Sequence, residues 1–248
     1  MIPGRHLPHA EPNGDLKPLR RSRGETNLAW IERALDSSGI AAPALLLAGG
    51  CDLASFRARV AQSHLRADMT PSRWSHAVIL VGARRKKILH VPLRTGDDLS
   101  RAPATNGIVE ESARALDDPA RYPNLALLSF PRVTTRVVKA AVSRLQGARL
   151  AEDLLSPILP WLGFVWGLRD NPLLNGAPLP SARFVEAVFG EAGVDLTPGL
   201  DARVACPEAF WQACRWWSSY YAAGVDGDAA TTPRGVFVVD QPAAAITR

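Results

Sequence analysis

The chain has 248 residues, 47% of them hydrophobic, and a formal net charge of +5. This composition can bury a full core, so it excludes a globally disordered chain. No run of eighteen apolar residues occurs, so we expect no transmembrane span. Three cysteines without metal-ligand spacing fit neither a disulfide framework nor a metal site.

The first 24 residues are rich in proline, glycine and charge, with five basic and two acidic residues. They predict a flexible basic arm, and a weak anionic contact through it stays open. Basic and aromatic residues do not interleave elsewhere, so we expect no nucleic-acid partner. Without a signal-peptide core near the start, the expected location is the cytoplasm, with signal-independent export left open. Residues 25–248 show no repeat or obvious linker and predict one domain.

Hydrophobic periodicity predicts the elements of this domain in chain order. The first half is expected to contain a helix over 25–38, a strand over Ala44–Ala48, a helix over Leu53–Leu65, strands over His76–Val81 and Lys87–Pro92, and a strand starting at Ile108–Val109. The second half adds a strand over Asn124–Phe130, a helix over Thr134–Leu145, a proline-broken apolar stretch over Ser156–Leu168, helices over Ser181–Ala192 and Pro207–Ala222, and a last strand over Gly235–Val239. This order predicts an α+β fold.

The C-terminal helix over Pro207–Ala222 is strongly aromatic, and its rings point to all sides. Most of them are expected to pack in the core. An exposed remainder, with Trp216 and Trp217 as the test residues, could contact a protein partner or a lipid.

Two histidines lie at positions where strands are expected to pair. His76 begins an apolar strand, and His90 follows fourteen residues later in the next one. Antiparallel pairing would place the two rings side by side, so that one imidazole orients the other and selects its tautomer. The alternative is a pair of half-buried strand histidines whose nitrogens are bound by backbone groups.

Ser181 follows Pro180, and this order predicts the helix N-cap. A thiol there would be stabilised as thiolate by the helix dipole, whereas a hydroxyl gains much less. Cys51, after Gly49 and Gly50, is a competing nucleophile, although only 25 residues separate it from His76. Cys206 and Cys214 are expected to be packing residues.

These segments together resemble the circularly permuted papain-like proteins, the YiiX/YaeF-type relatives of NlpC-type peptidases and lecithin–retinol acyltransferases. Such proteins typically read (S)H-V-G-I-Y-hydrophobic-G, then a polar residue on the next strand, and far downstream C-S-x-F-V and A-G-V-D-L-T-P. The matching segments here are SHAVILVG at 75–82, ILH at 88–90, SARFV at 181–185 and AGVDLTP at 192–198. The resemblance covers roughly residues 43–217.

The resemblance implies an antiparallel sheet packed against the nucleophile helix and attack on an amide or ester carbonyl. His76 would be the general base, His90 its orienting partner and Ser181 the nucleophile, with Glu110 as an alternative third residue. No cofactor or metal is implied, and the substrate would be a peptide, an isopeptide or a lipid ester.

The family's cysteine is replaced by Ser181, so we expect a chain that is inactive or impaired. An engineered inactivation, a working serine variant and a natural pseudoenzyme are the three explanations. The alternative functions are a non-catalytic binding module that keeps the groove and an assembly protein that uses the Trp-rich helix.

Overall fold

A computed structural model describes residues 16–81, 87–93, 107–130, 132–147, 150–198, 205–222 and 233–241. The strands are β1 Leu16–Pro18, β2 Ala44–Gly49, β3 His76–Val81, β4 Lys87–His90, β5 Val109–Ser112, β6 Asn124–Ser129 and β7 Arg234–Val239. The helices are α1 Asn27–Ser38, α2 Leu53–Ala61, α3 Thr135–Gly147, α4 Leu150–Val165, α5 Pro180–Glu191 and α6 Pro207–Ala222. Short 3-10 turns cover Ser63–Leu65, Ala113–Leu116 and Pro172–Asn175.

The described strands form one seven-stranded sheet in the order β1-β7-β6-β2-β3-β4-β5. All neighbouring pairs are antiparallel except β1 and β7, which run parallel. The predicted α+β class is therefore confirmed.

The central strands are buried on both faces, as predicted for β3. Ala77 and Ile79 belong to a larger core that also contains side chains of α2, α3, α4, α5 and α6. Val78 and Leu80 belong to a smaller core, which is covered by α1 and the 3-10 turn at Ala113–Leu116. Because strand side chains alternate between faces, His76 lies on the side of the smaller core.

Local signals explain both boundaries of α1 and the start of α2. Thr26 caps α1 by accepting from the backbone N–H of Ala29, and Gly39 ends it with a left-handed φ of 65°. Asp52 caps α2 in the same way by accepting from the N–H of Ser55. The helix predicted to reach Leu65 ends earlier, at Ala61, and a separate 3-10 turn covers Ser63–Leu65.

The start of α5 differs from the prediction. Its N-cap is Leu179, which makes no side-chain capping bond, and Pro180 is the first helical residue. Ser181 therefore lies inside the first turn rather than at the cap, and its hydroxyl is free to bond elsewhere.

The predicted basic arm does not extend to residue 24. Leu16–Pro18 pairs with β7, and the Leu16 side chain is buried in the larger core. Burial of this leucine and the ladder hydrogen bonds hold the segment against the sheet. Residues 1–15, and Gly82 at the end of the quoted segment 75–82, lie outside the described residues. Within the described part, no helix is both long and apolar enough to cross a bilayer.

Candidate functional site

The two strand histidines meet at one end of the sheet, where β3 begins and β4 ends. Nε2 of His76 lies 2.7 Å from Nδ1 of His90, and the ring planes are inclined by 80°. His90 is buried, whereas His76 as a whole residue is intermediate between buried and exposed. The structure thus brings the two residues together in hydrogen-bond contact.

A carboxylate on the next strand extends this contact. Oε1 of Glu111 lies 2.7 Å from Nε2 of His90. The two atoms are in close polar contact, and the contact becomes an ion pair when the His90 ring is protonated. His76, His90 and Glu111 therefore form a continuous row across β3, β4 and β5.

The resemblance offered Glu110 as the alternative third residue, and Glu111 was not predicted. In the register of β4 and β5, Glu111 is opposite Ile88 and Glu110 is opposite Leu89. Since alternate residues of β4 face one side, Glu111 shares the face of His90. Glu110 lies on the other face and forms an exposed ion pair with Lys87. Only the strand register, which the sequence does not state, separates these adjacent glutamates.

The short distances between His76, His90 and Glu111 indicate which ring nitrogens carry hydrogen. A lone pair on Nε2 of His90 would be repelled by a carboxylate at 2.7 Å, so this nitrogen carries hydrogen. In a neutral ring Nδ1 of His90 is then an acceptor, and Nε2 of His76 donates to it. We therefore assign the free lone pair to Nδ1 of His76.

The surroundings favour the neutral form of His76. Burial lowers the pKa of His76 well below its ordinary value, and charge on His90 lowers it further. The ring therefore stays unprotonated at neutral pH, as a proton acceptor must.

The row opens into a cavity of about 700 Å³. Its walls come from the start of α2, the ends of β3, β4 and β5, and the segment before β6. The lining residues are Asp52, Leu53, Ala54, Ser55, Ala58, Ser75, His76, His90, Pro92, Leu93, Glu111, Ala115, Leu116, Arg121 and Tyr122. This mixture of apolar side chains with a few convergent polar groups is typical of a small-molecule or peptide site.

Ser181 lies near this site in space, because it bonds the residue that follows His76, but it is not part of the site. Its side chain is 1% exposed, and its Oγ accepts the backbone N–H of Ala77 at 3.4 Å. α5 approaches β3 from the larger core, whereas His76 lies on the other face. The hydroxyl makes no hydrogen bond to His76 and does not line the cavity. The structure therefore does not bring the predicted nucleophile and base together.

Cys51, the competing nucleophile, is also buried. Its Sγ lies 2.7 Å from Oε1 of Gln241, and its backbone N–H donates to the carbonyl of Arg121. Asp52, the next residue, lines the cavity, but Cys51 does not. Cys206 and Cys214 are buried in the larger core, and burial raises the pKa of both thiols.

Among the described residues, no cluster of histidine, cysteine and carboxylate side chains has the arrangement of a metal site. Comparison of the chain with protein-family models, curated proteins and solved structures finds no match.

Proposed function

We propose that this chain is a hydrolase-type protein of permuted papain-like design. Its cavity accepts an amide or ester carbonyl from a peptide, an isopeptide or a lipid, and His76 is the general base. The single observation that supports this most is the row of His76, His90 and Glu111 on the cavity wall.

The row supports proton transfer at Nδ1 of His76. A nucleophile in the cavity gives its proton to this nitrogen and attacks the carbonyl carbon. The leaving nitrogen or oxygen then takes the same proton as its bond to carbon breaks. His90 fixes the orientation of the His76 ring, and the Glu111 carboxylate stabilises the positive charge that develops on the pair.

The attacking group in the resembling proteins is a cysteine at the position of Ser181. Here the hydroxyl is buried and bonded to the N–H of Ala77. An alcohol is also far less acidic than a thiol, so it needs a stronger base. Both points support an impaired acyl-transfer reaction. Turnover that remains would use water as the nucleophile.

A non-catalytic binding module is the second candidate, and the same burial of Ser181 favours it. In that case the cavity holds the carbonyl compound without cleaving it. An assembly role for α6 has its own support, because Trp216 is 42% exposed and its ring contacts Trp217.

The hydrolytic proposal is tested with p-nitrophenyl acetate as the probe ester. Wild type is expected to release nitrophenol above the buffer rate without a burst, because no residue becomes acylated. His76→Gln should lower this rate at least about tenfold, since a positioned general base contributes 100-fold or more. Ser181→Ala and Cys51→Ser should retain the rate of wild type.

His64→Gln is the matched control, because His64 is exposed and lies outside the cavity. Equal rates for wild type and His76→Gln would reject the general-base role and leave the binding module. A burst that disappears in Ser181→Ala would instead show that α5 moves and that Ser181 is acylated.

A further inference from the structure

The cavity that contains His76 has a second polar wall, formed by the start of α2 and the segment before β6. Asp52 and Ser55 line it on the α2 side, and Arg121 lines it on the other side. We propose that Arg121 binds the free C-terminal carboxylate of a peptide substrate and so determines specificity. The inference rests on the proposed function for the carbonyl at His76, but the carboxylate contact is tested by binding alone.

Two contacts hold Arg121 at this wall. Its backbone carbonyl accepts the N–H of Cys51 at 3.0 Å, which ties the segment before β6 to the turn between β2 and α2. Its guanidinium carbon lies 5.3 Å from the centroid of the Tyr122 ring, which is a cation–π distance. The side chain is 58% exposed, so a ligand that enters the cavity can reach the guanidinium group.

The N–H donors of Arg121 are available to such a ligand. Among the described residues, its side chain makes no hydrogen bond and contacts only the ring of Tyr122 and the carboxylate of Asp52. Nε of Arg121 lies 3.8 Å from Oδ2 of Asp52, which is too long for a hydrogen bond. Asp52 accepts instead from the backbone N–H of Ser55 at 2.8 Å and from its hydroxyl at 3.1 Å. Because an exposed ion pair of this kind contributes little, a ligand displaces no strong interaction.

The other groups on the described cavity walls do not compete for an anion. Glu111 lies 2.7 Å from Nε2 of His90, and Asp52 caps α2. These two carboxylates disfavour an anion elsewhere in the cavity. Burial lowers the pKa of His76, so its ring is neutral at neutral pH. Arg121 is the single arginine or lysine among the described lining residues, and a carboxylate is therefore directed to it.

A peptide C-terminus matches the chemistry of this arginine. A guanidinium group is planar, and two of its five N–H donors bond both oxygens of a carboxylate at once. An amide at the same place has one acceptor oxygen and no charge, so Arg121 would distinguish a free C-terminus from a blocked one.

The sheet sets the separation between Arg121 and His76. His76 pairs with Ala48 of β2, and Leu125 of β6 pairs with Ala48 from the other side. Neighbouring strands are about 4.8 Å apart, so β3 and β6 are roughly 10 Å apart at this level. Arg121 precedes β6 by three residues, and both it and His76 line the cavity. Two extended residues span at most about 7 Å, so a carboxylate at Arg121 places one of the last peptide carbonyls beside His76.

The test titrates the full chain with N-acetyl-alanyl-alanine and with its C-terminal amide, which differ only in the carboxylate. Isothermal titration calorimetry is expected to show about tenfold tighter binding of the acid, as for one charge-assisted contact. The ring resonances of His76 should shift on addition of the acid, because the ligand enters the same cavity.

Three variants locate the contact. Arg121→Gln should bind the acid and the amide equally. Arg121→Lys retains the charge without the planar fork, so it should weaken the preference, and it provides the comparison if the glutamine variant does not fold. Arg114→Gln is the matched control and should keep the tenfold preference, because Arg114 is an exposed arginine of the turn at Ala113–Leu116 and does not line the cavity.

The carboxylate site is overturned by equal affinities for acid and amide in wild type, or by a preference that persists in the folded Arg121 variants. Acid binding that leaves the His76 resonances unchanged would also overturn it, because the ligand would then lie outside the cavity. An acid preference in a chain that does not hydrolyse p-nitrophenyl acetate supports the Arg121 site and rejects the hydrolytic proposal alone. Hydrolysis that depends on His76, without an acid preference, does the reverse.

Discussion

Replacement of Glu111 by glutamine tests whether the row of His76, His90 and Glu111 acts as one proton-accepting unit. The change keeps the size of the side chain and removes its charge. Because the carboxylate lies 2.7 Å from Nε2 of His90, it stabilises a proton on the histidine pair. Glu111→Gln is therefore expected to lower the apparent pKa of the pair, which titrates as a coupled system.

The size of the expected pKa change depends on how exposed the His90 and Glu111 side chains are. The side chains of His90 and Glu111 are 6% and 24% exposed, so their contact is stronger than a surface ion pair of at most about 1 kcal/mol. The interaction energy of this contact should be below the reference value of about 4 kcal/mol, which applies to two unit charges 4 Å apart at an effective dielectric constant of 20. We expect roughly 2 kcal/mol, which is about a thirtyfold loss in the protonation constant.

The assay follows the histidine ring resonances of His76 and His90 by NMR as the pH is lowered. Glu110→Gln is the matched control, because Glu110 is the adjacent residue of β5 but pairs with Lys87 in solvent. The control should titrate within threefold of wild type. A Glu111→Gln variant that titrates like wild type, or equal shifts in both variants, would show that Glu111 does not act on the histidine pair.

Three further predictions concern stability. The pKa of His76 is lowered in the folded state, so the unfolded chain takes up the proton first as the pH falls. The free energy of unfolding should therefore decrease as the pH drops below 6.5. In His76→Gln, the urea midpoint should change less between pH 7.5 and 5. Ser181→Ala should cost about 1 kcal/mol in urea unfolding, because it removes the buried acceptor of a β3 backbone N–H, and an unchanged midpoint would contradict this role. Gly49→Ala should lower stability by about 2 kcal/mol or more, since its Cβ would clash with the backbone carbonyl oxygen of Arg73. Gly190→Ala is the control that should not lose stability, because the space at its Cβ is open.

Much of the fold follows from local signals in the sequence. The apolar, β-branched run of β3 predicts a strand buried on both faces, and the cores on its two sides agree. Capping residues such as Thr26 and Asp52 mark the helix starts at which they are found. The fourteen-residue spacing of His76 and His90 is enough to suggest paired strands, because a short connection favours antiparallel neighbours.

Other features depend on contacts between distant segments. β1 was expected to belong to a flexible arm, because three residues carry no periodicity, and its partner β7 lies more than 200 residues later. The choice of Glu111 over Glu110 depends on the register of β5, which a shift by one residue would reverse.

The sequence by itself determined the α+β class, the strand that carries His76 and the helix that carries Ser181. Only the tertiary structure decided that these two side chains lie on opposite faces of β3, and that Glu111 completes the histidine row. The physical reason is that local propensity specifies elements, whereas pairing register and helix docking decide which side chains meet.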